Sequence, residues 1–383
     1  MKPAMKTAIK LTALATALAC GAIVSQSGFA QPSAKAQAQA QQGRLTEQRQ
    51  VGAFSAIELA GPYHVVIEAG DKPALSLQGT RKELDKVETT LRGDTLVVRS
   101  REHGGIHFNF SFGRGKDEDD DEVTVHITAA TLKSLRMSGS GDTELSGVRG
   151  DTFSIANNGS GDARASGAVR QLSVGNNGSG DIDLRELQAA DVKLDMNGSG
   201  DVQLAGLTNT LSAQLSGSGD LSADGLRTAR VEARLNGPGD VHLRGSSREL
   251  RLESSGSGDF DGCGLAVDSA SSVQHGPGNA CIAGKLRAFG AELSGSGDLS
   301  VRGLQAQSAR LRMHGPGNVD LAGSVAELNA ELSGSGDLDA RGLSAGHADI
   351  QVRGSGSARV RVLDAGAQGR LLLVDRSGTR LRQ

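Results

Sequence analysis

Leu194-Asp195-Met196-Asn197-Gly198-Ser199-Gly200-Asp201-Val202-Gln203-Leu204 is one copy of a pattern that returns along the chain at a fixed interval. The Asp of its Gly-Ser-Gly-Asp core recurs at Asp142, Asp162, Asp181, Asp201, Asp220, Asp240 and Asp259. The series continues at Asn279, Asp298, Asn318, Asp337 and Ser357. Successive steps alternate between 20 and 19 residues, a double repeat of 39. A fixed period in this range marks a chain that stacks one structural unit on the next.

Outward from the core the pattern has period two. The residue after the Asp is apolar in most copies, as in Ile182, Val202, Leu221, Val241 and Phe260. Two residues further on the chain is apolar again, as in Leu145, Leu184, Leu204 and Leu243. A mostly polar residue lies between: Glu144, Arg164, Asp183, Gln203, His242, Asp320. Alternation of this kind describes a strand with one buried face. The same alternation precedes the core at Val231, Ala233 and Leu235. A Gly then follows the first strand in most copies, among them Gly147, Gly167, Gly206 and Gly225. Each repeat reads as strand, Gly-Ser-Gly corner, strand, Gly corner and a short return. One repeat cannot bury its own apolar face, whereas stacked repeats pairing in parallel at roughly 4.8 Å can. Each coil buries three or four aliphatic side chains, each stabilising by roughly 1.5–3 kcal/mol. The expected fold is all-β: a right-handed parallel β-solenoid of about twelve regular coils of 19–20 residues, with degenerate N-terminal coils.

The corner is expected to be structural. Glycine takes positive φ without a Cβ clash, so pairs such as Gly139 and Gly141 would bracket a bend. Asp142, Asp162, Asp181, Asp201, Asp220, Asp240, Asp259, Asp298 and Asp337 are expected to accept hydrogen bonds from nearby turn amides. Asn279 and Asn318 serve the same purpose uncharged.

The chain has 383 residues, 54 of them Gly, with no Trp and one Tyr. Glycine is about twice its usual share of roughly 7%, so the core must be aliphatic. Lys2, Lys6 and Lys10 precede an apolar run from Leu11 to Val24, and Gly28-Phe29-Ala30 supplies small residues for cleavage. Residues 1–30 are therefore expected to be a signal peptide. Lipoprotein anchoring at Cys20 is the alternative. After removal of the signal no other apolar stretch is long enough to span a bilayer. The remainder holds 38 Lys and Arg against 44 Asp and Glu, a net charge of −6. That balance, without basic patches interleaved with aromatics, argues against a nucleic-acid partner. Residues 31–44, rich in Gln, Ala and Ser, read as a flexible linker. Residues 45–130 read as degenerate coils that cap the rod, interrupted by an acidic insertion over 104–122. Residues 131–383 read as the repeat solenoid with its C-terminal cap. The insertion opens on His107-Phe108-Asn109-Phe110-Ser111-Phe112 and closes on six acidic residues, Asp117 to Glu122. It reads as a solvated acidic loop, with calcium or partner binding the other reading.

Cys263 and Cys281 fall on the strand after the corner in neighbouring coils, offset by two residues. A regular ladder would place their Cα atoms about 8 Å apart, beyond the usual disulfide limit of about 7 Å. A disulfide needs local distortion, although an exported protein favours one.

The block from residue 45 to 220 resembles the bacterial family of the putative auto-transporter adhesin, head GIN domain. The resemblance rests on Phe54-Ser55-Ala56-Ile57 with Gly61, Val65-Val66-Ile67, Gly93-Asp94-Thr95-Leu96 and Val123-Thr124-Val125-His126-Ile127. These lead into Leu132 and Ser138-Gly139-Ser140-Gly141-Asp142. The resemblance implies an exported β-helical domain associated with adhesion, and it brings no catalytic residues.

Other chemistry finds little footing. No Gly-Ser-Gly copy carries the Lys-Ser/Thr of a phosphate loop, and none forms a nucleophile elbow. The row of Asp residues, about 5 Å apart in a stack, suits hydrogen-bonded capping better than calcium, because Asn and Ser interrupt it. His275 and His314, two coils apart, lie too far apart for one metal. Asp183, Asp261, Asp320 and Asp339 share an outward position without converging, as glycosidic chemistry would require. The expectation is a monomeric, exported cell-envelope or surface module of adhesin-like kind, without catalysis. It would bind a glycan, a surface polymer or another protein. The alternatives are a β-helical lyase or glycosidase, and an envelope regulatory component.

Overall fold

A computed structural model describes residues 44–101, 122–363 and 369–382. The expected signal peptide, Cys20, the linker up to residue 43 and the insertion from 104 to 121 lie outside the described residues. Within them the chain is almost entirely β-strand and forms a parallel β-solenoid of about eleven turns. Twelve corners bound eleven full turns, which accounts for the difference from the expected twelve coils.

The opening strands are β1 (Leu45–Arg49), β2 (Ala56–Ala60), β3 (His64–Ala69) and β4 (Ala74–Gly79). A helical turn, α1 (Arg81–Leu84), follows, capped by the Thr80 hydroxyl, which accepts from the Glu83 N–H. Then come β5 (Val87–Arg92), β6 (Thr95–Ser100), β7 (Thr124–Ala129) and β8 (Ser134–Met137). The repeats supply β9 (Thr143–Asn157), β10 (Ala163–Asn176), β11 (Ile182–Met196), β12 (Val202–Ala205), β13 (Thr210–Leu215) and β14 (Leu221–Leu235). They continue with β15 (Val241–Ser254), β16 (Phe260–Gln274), β17 (Ala280–Leu286) and β18 (Ala288–Leu293). The last are β19 (Leu299–Met313), β20 (Val319–Leu332), β21 (Leu338–Val352) and β22 (Ala358–Leu363). The C-terminal strands are β23 (Gly369–Asp375) and β24 (Gly378–Arg382).

Every repeat strand pairs in parallel with its equivalent one coil on, in the register set by the tetrapeptides: Ile182 beside Val202, Val202 beside Leu221, Leu221 beside Val241. Inward positions form continuous aliphatic columns, such as Leu184, Leu204, Ala223 and Leu243, each at most 1% exposed. The core is therefore shared between coils, as the small aliphatic content of one repeat demands.

Two local expectations change. First, most repeats are not two short strands with a corner between them. A strand of 14–15 residues runs from one tetrapeptide to the next, and the midway glycine is a bulge within it. The register slips there, for instance between Ala165 and Gly167. Gly147, Gly167, Gly206, Gly225, Gly245, Gly284, Gly303 and Gly323 have positive φ, whereas Gly264 and Gly342 do not. Second, the N-terminal cap is not a set of worn parallel coils alone. β2 and β3 pair in parallel with β8 and β9. β1 with β4, β4 with β7 and β5 with β6 are antiparallel. At the other end β22, β23 and β24 pair antiparallel. Antiparallel pairing at the ends takes up edges that would otherwise continue the parallel ladder.

Candidate functional site

The tetrapeptide edge is held together by contacts between coils. Its glycines have no positive φ; they are required by close approach. A Cβ on Gly200 would overlap the carbonyl oxygen of Gly180 one coil earlier, and the same holds for Gly178 against Gly159 and Gly219 against Gly200. The expected reason, backbone freedom at a bend, gives way to backbone stacked on backbone. In the earlier coils the middle Ser donates its N–H to the Gly of the preceding coil, as Ser199 does to the Gly178 carbonyl at 3.0 Å. Pro238 has no N–H to give, and there Gly239 donates to the Gly217 carbonyl at 3.3 Å, a bond that Gly200 and Gly219 also make beside a Ser.

The Asp row forms a ladder. Asp201 Oδ1 accepts the backbone N–H of Asp220, Asp220 Oδ1 that of Asp240, and Asp240 Oδ1 that of Asp259, at 2.7–2.8 Å. The series begins at Asp142, which accepts from Asp162, and continues through Asp162 and Asp181. It passes unbroken through Asn279 and Asn318 to Ser357. The donor is thus the amide of the next coil, not one of the turn's own. In return, the residue after each Asp donates to the Asp carbonyl one coil on, as Val202 does to Asp220 at 2.9 Å. Each Oδ1 accepts an N–H and Asn fills the same slot, so hydrogen bonding accounts for both residue types in the row.

Beside this edge runs the outward column Glu144, Arg164, Asp183, Gln203, Ser222, His242, Asp261, Cys281, Ser300, Asp320, Asp339 and Arg359. Its charges are settled locally. Arg185 donates to Asp183 at 2.7 Å, and this guanidinium holds the Asp183 carboxyl down at about 2. Arg341 likewise lowers Asp339. Asp320 moves the other way, raised by burial and then by Asp339 and Asp298. Asp320 and Asp339 are cross-strand neighbours in an open depression that includes Ser300, Arg302 and Arg341.

Cys263 and Cys281 are joined in a disulfide, with Cα atoms 5.2 Å apart. The regular-ladder distance does not apply, because the register breaks at this point. Gly262 pairs with Ile282 and the next pair is Ala266 with Ala283, so residues 263–265 bulge out. Gly262 permits this: a Cβ there would meet the Phe260 ring at 2.6 Å and the Cys281 carbonyl at 3.0 Å. Among the described residues, one group of three His, Cys, Asp or Glu side chains lies close enough to hold a metal ion: Asp261, Cys263 and Cys281. No helix among the described residues is long and apolar enough to cross a membrane. The sequence reading missed two features: the bulge, and the buried amides Asn157 and Asn176. Each of these amides donates to glycine carbonyls of two successive coils, Asn157 to Gly161 and Gly180, Asn176 to Gly180 and Gly200. Their doublets, Asn157-Asn158 and Asn176-Asn177, are the only signal the sequence offers.

A solenoid with a stapled edge and an uneven polar face is a scaffold that holds outward side chains at fixed strand spacing. The chain belongs to the family described as putative auto-transporter adhesin, head GIN domain, which matches residues 53–260, 209–288, 242–322 and 281–367. Solved structures with similarity include a putative lipid binding protein from Parabacteroides distasonis ATCC 8503. It is 17% identical, with 72% of this chain and 96% of that chain covered and a TM-score of 0.36. A putative adhesin from Bacteroides fragilis NCTC 9343 is 14% identical over 82% and 94% of the two chains, with a TM-score of 0.26. One from Parabacteroides merdae ATCC 43184 is 14% identical over 82% and 95%, with a TM-score of 0.29. No curated protein matches the sequence.

Proposed function

We propose that the protein is an exported binding module of the cell envelope or cell surface, acting by display and without catalysis. What supports the reading is membership of an adhesin family, joined to one structural observation. The outward column is a rigid row of unlike polar side chains at strand spacing, and most of its carboxylates are engaged in the scaffold or paired with arginine. Such a surface binds an extended partner through many weak contacts; a glycan or envelope polymer has that shape. The enzyme reading has one observation in its favour: the carboxyls Asp320 and Asp339 share an open depression and are shifted in opposite directions, Asp339 down by Arg341 and Asp320 up by burial.

A binding screen of the protein without residues 1–30 against glycans and envelope polymers, with and without calcium, tests the reading. Saturable binding that weakens when the rod is shortened by 39 residues is the expected result. Turnover of a polysaccharide that Asp320→Ala or Asp339→Ala abolishes would replace display by catalysis.

A further inference from the structure

At one coil a cysteine stands where two other outward aspartates have an arginine two residues on. In β11 and β21 the outward aspartate is followed two residues later by arginine, as Asp183 with Arg185 and Asp339 with Arg341. In both, the aspartate Oδ1 accepts the arginine backbone N–H, at 3.2 and 3.1 Å, and the guanidinium neutralises the carboxylate. In β16 the same turn forms, with the Cys263 N–H donating to Asp261 Oδ1 at 3.1 Å, but the third residue is cysteine. The second sulfur arrives from the next coil, because Cys281 is the cross-strand partner of Asp261. From the preceding coil His242 brings Nδ1 to 3.8 Å from Asp261 Oδ2. A carboxylate oxygen of Asp261 and the two sulfurs all lie within 4.8 Å of one another. The His242 and Asp261 side chains are about half exposed, at 46% and 49%, so solvent and solutes reach the cluster.

We propose that Asp261, Cys263 and Cys281 form a transition-metal site that the disulfide closes and reduction opens. Two thiolates with a carboxylate are a zinc-type donor set that leaves a fourth position to solvent. Zn–S bonds of about 2.3 Å in a tetrahedron place two sulfurs about 3.7 Å apart. Cα atoms 5.2 Å apart allow that separation by side-chain rotation. In the opening step a dithiol gives up two electrons and two protons and becomes a disulfide, while the Cys263–Cys281 bond becomes two thiols. The metal cation then displaces both thiol protons to solvent. Asp183 and Asp339 are each neutralised by the arginine two residues on in their own strand, whereas Asp261 has no such partner in β16. The same two coils are thus bridged covalently in one state and through a metal in the other.

Cobalt(II) titration of the protein lacking residues 1–30, after treatment with a phosphine reductant, tests the proposal. One equivalent should bind with a thiolate-to-metal charge-transfer band in the near ultraviolet, displaced by zinc. The band should be absent before reduction and in Cys281→Ser. Asp261→Asn keeps both sulfurs and should weaken cobalt binding at least tenfold, with the β-sheet circular dichroism unchanged. The proposal is overturned if the reduced protein shows no such band, if it loses its β-sheet signal, if Cys281→Ser retains the band, or if Asp261→Asn binds as tightly as the parent.

Discussion

Gly200 and Gly290 show how differently one residue type is used. A Cβ at Gly200 would strike the backbone of the preceding coil, whereas at Gly290 it would meet nothing within 4 Å. Gly200→Ala should therefore cost about 2–3 kcal/mol through forced separation of two coils. Gly290→Ala should be neutral or stabilise by about 0.5–1 kcal/mol by reducing backbone entropy in a strand. Urea denaturation of the two variants checks both. The Asp183–Arg185 pair gives a pH dependence. The folded carboxyl sits at about 2, below its unfolded value of about 3.9. Its stabilising contribution is thus present above pH 4 and lost as the pH falls from 4 toward 2. Arg185 is 55% exposed, so solvent screens the pair and its contribution is small. In Arg185→Ala the decline of stability between pH 4 and pH 2 should be shallower than in the parent.

The tetrapeptide ladder is the element on which the edge depends. Its repeating bond is side-chain oxygen to next-coil amide, so only the acceptor matters. Asp201→Asn should leave stability within about 0.5 kcal/mol of the parent, since Asn279 and Asn318 already fill this slot. Asp201→Ala removes the acceptor for the Asp220 N–H and should cost about 1–2 kcal/mol. Thermal unfolding of the pair separates acceptor loss from charge loss. A large effect of Asp201→Asn would show that the negative charge itself is needed. The disulfide acts at the same scale: it ties β16 to β17 at the point where the bulge interrupts their backbone pairing.

Across the whole molecule each coil is bound chiefly to the coils before and after it, so stability accumulates coil by coil. Deleting residues 221–259 joins Asp220 to Phe260 and removes one 39-residue double repeat in register. The shortened protein should keep the β-sheet circular dichroism and unfold cooperatively at a moderately lower temperature. Deleting residues 221–230 alone should destroy the fold from that point on, because it shifts the inward columns of β14 out of line with their neighbours. Circular dichroism and thermal melts of both proteins give the answer.

The repeat fixed the solenoid without help from tertiary structure. Leu204, Ala223 and Leu243 stack because the period leaves their buried face no other partner, and the 19- and 20-residue steps set the register. Family resemblance was legible for the same reason, since order and spacing are properties of the chain. What the sequence left open depends on distances between coils that no local rule states. The carbonyl under Gly200, the amide that Asp201 caps and the bulge that carries Cys263 toward Cys281 all belong to the neighbouring coil. Local propensity knows nothing of that coil, and only the stacked backbone decided how closely it would approach.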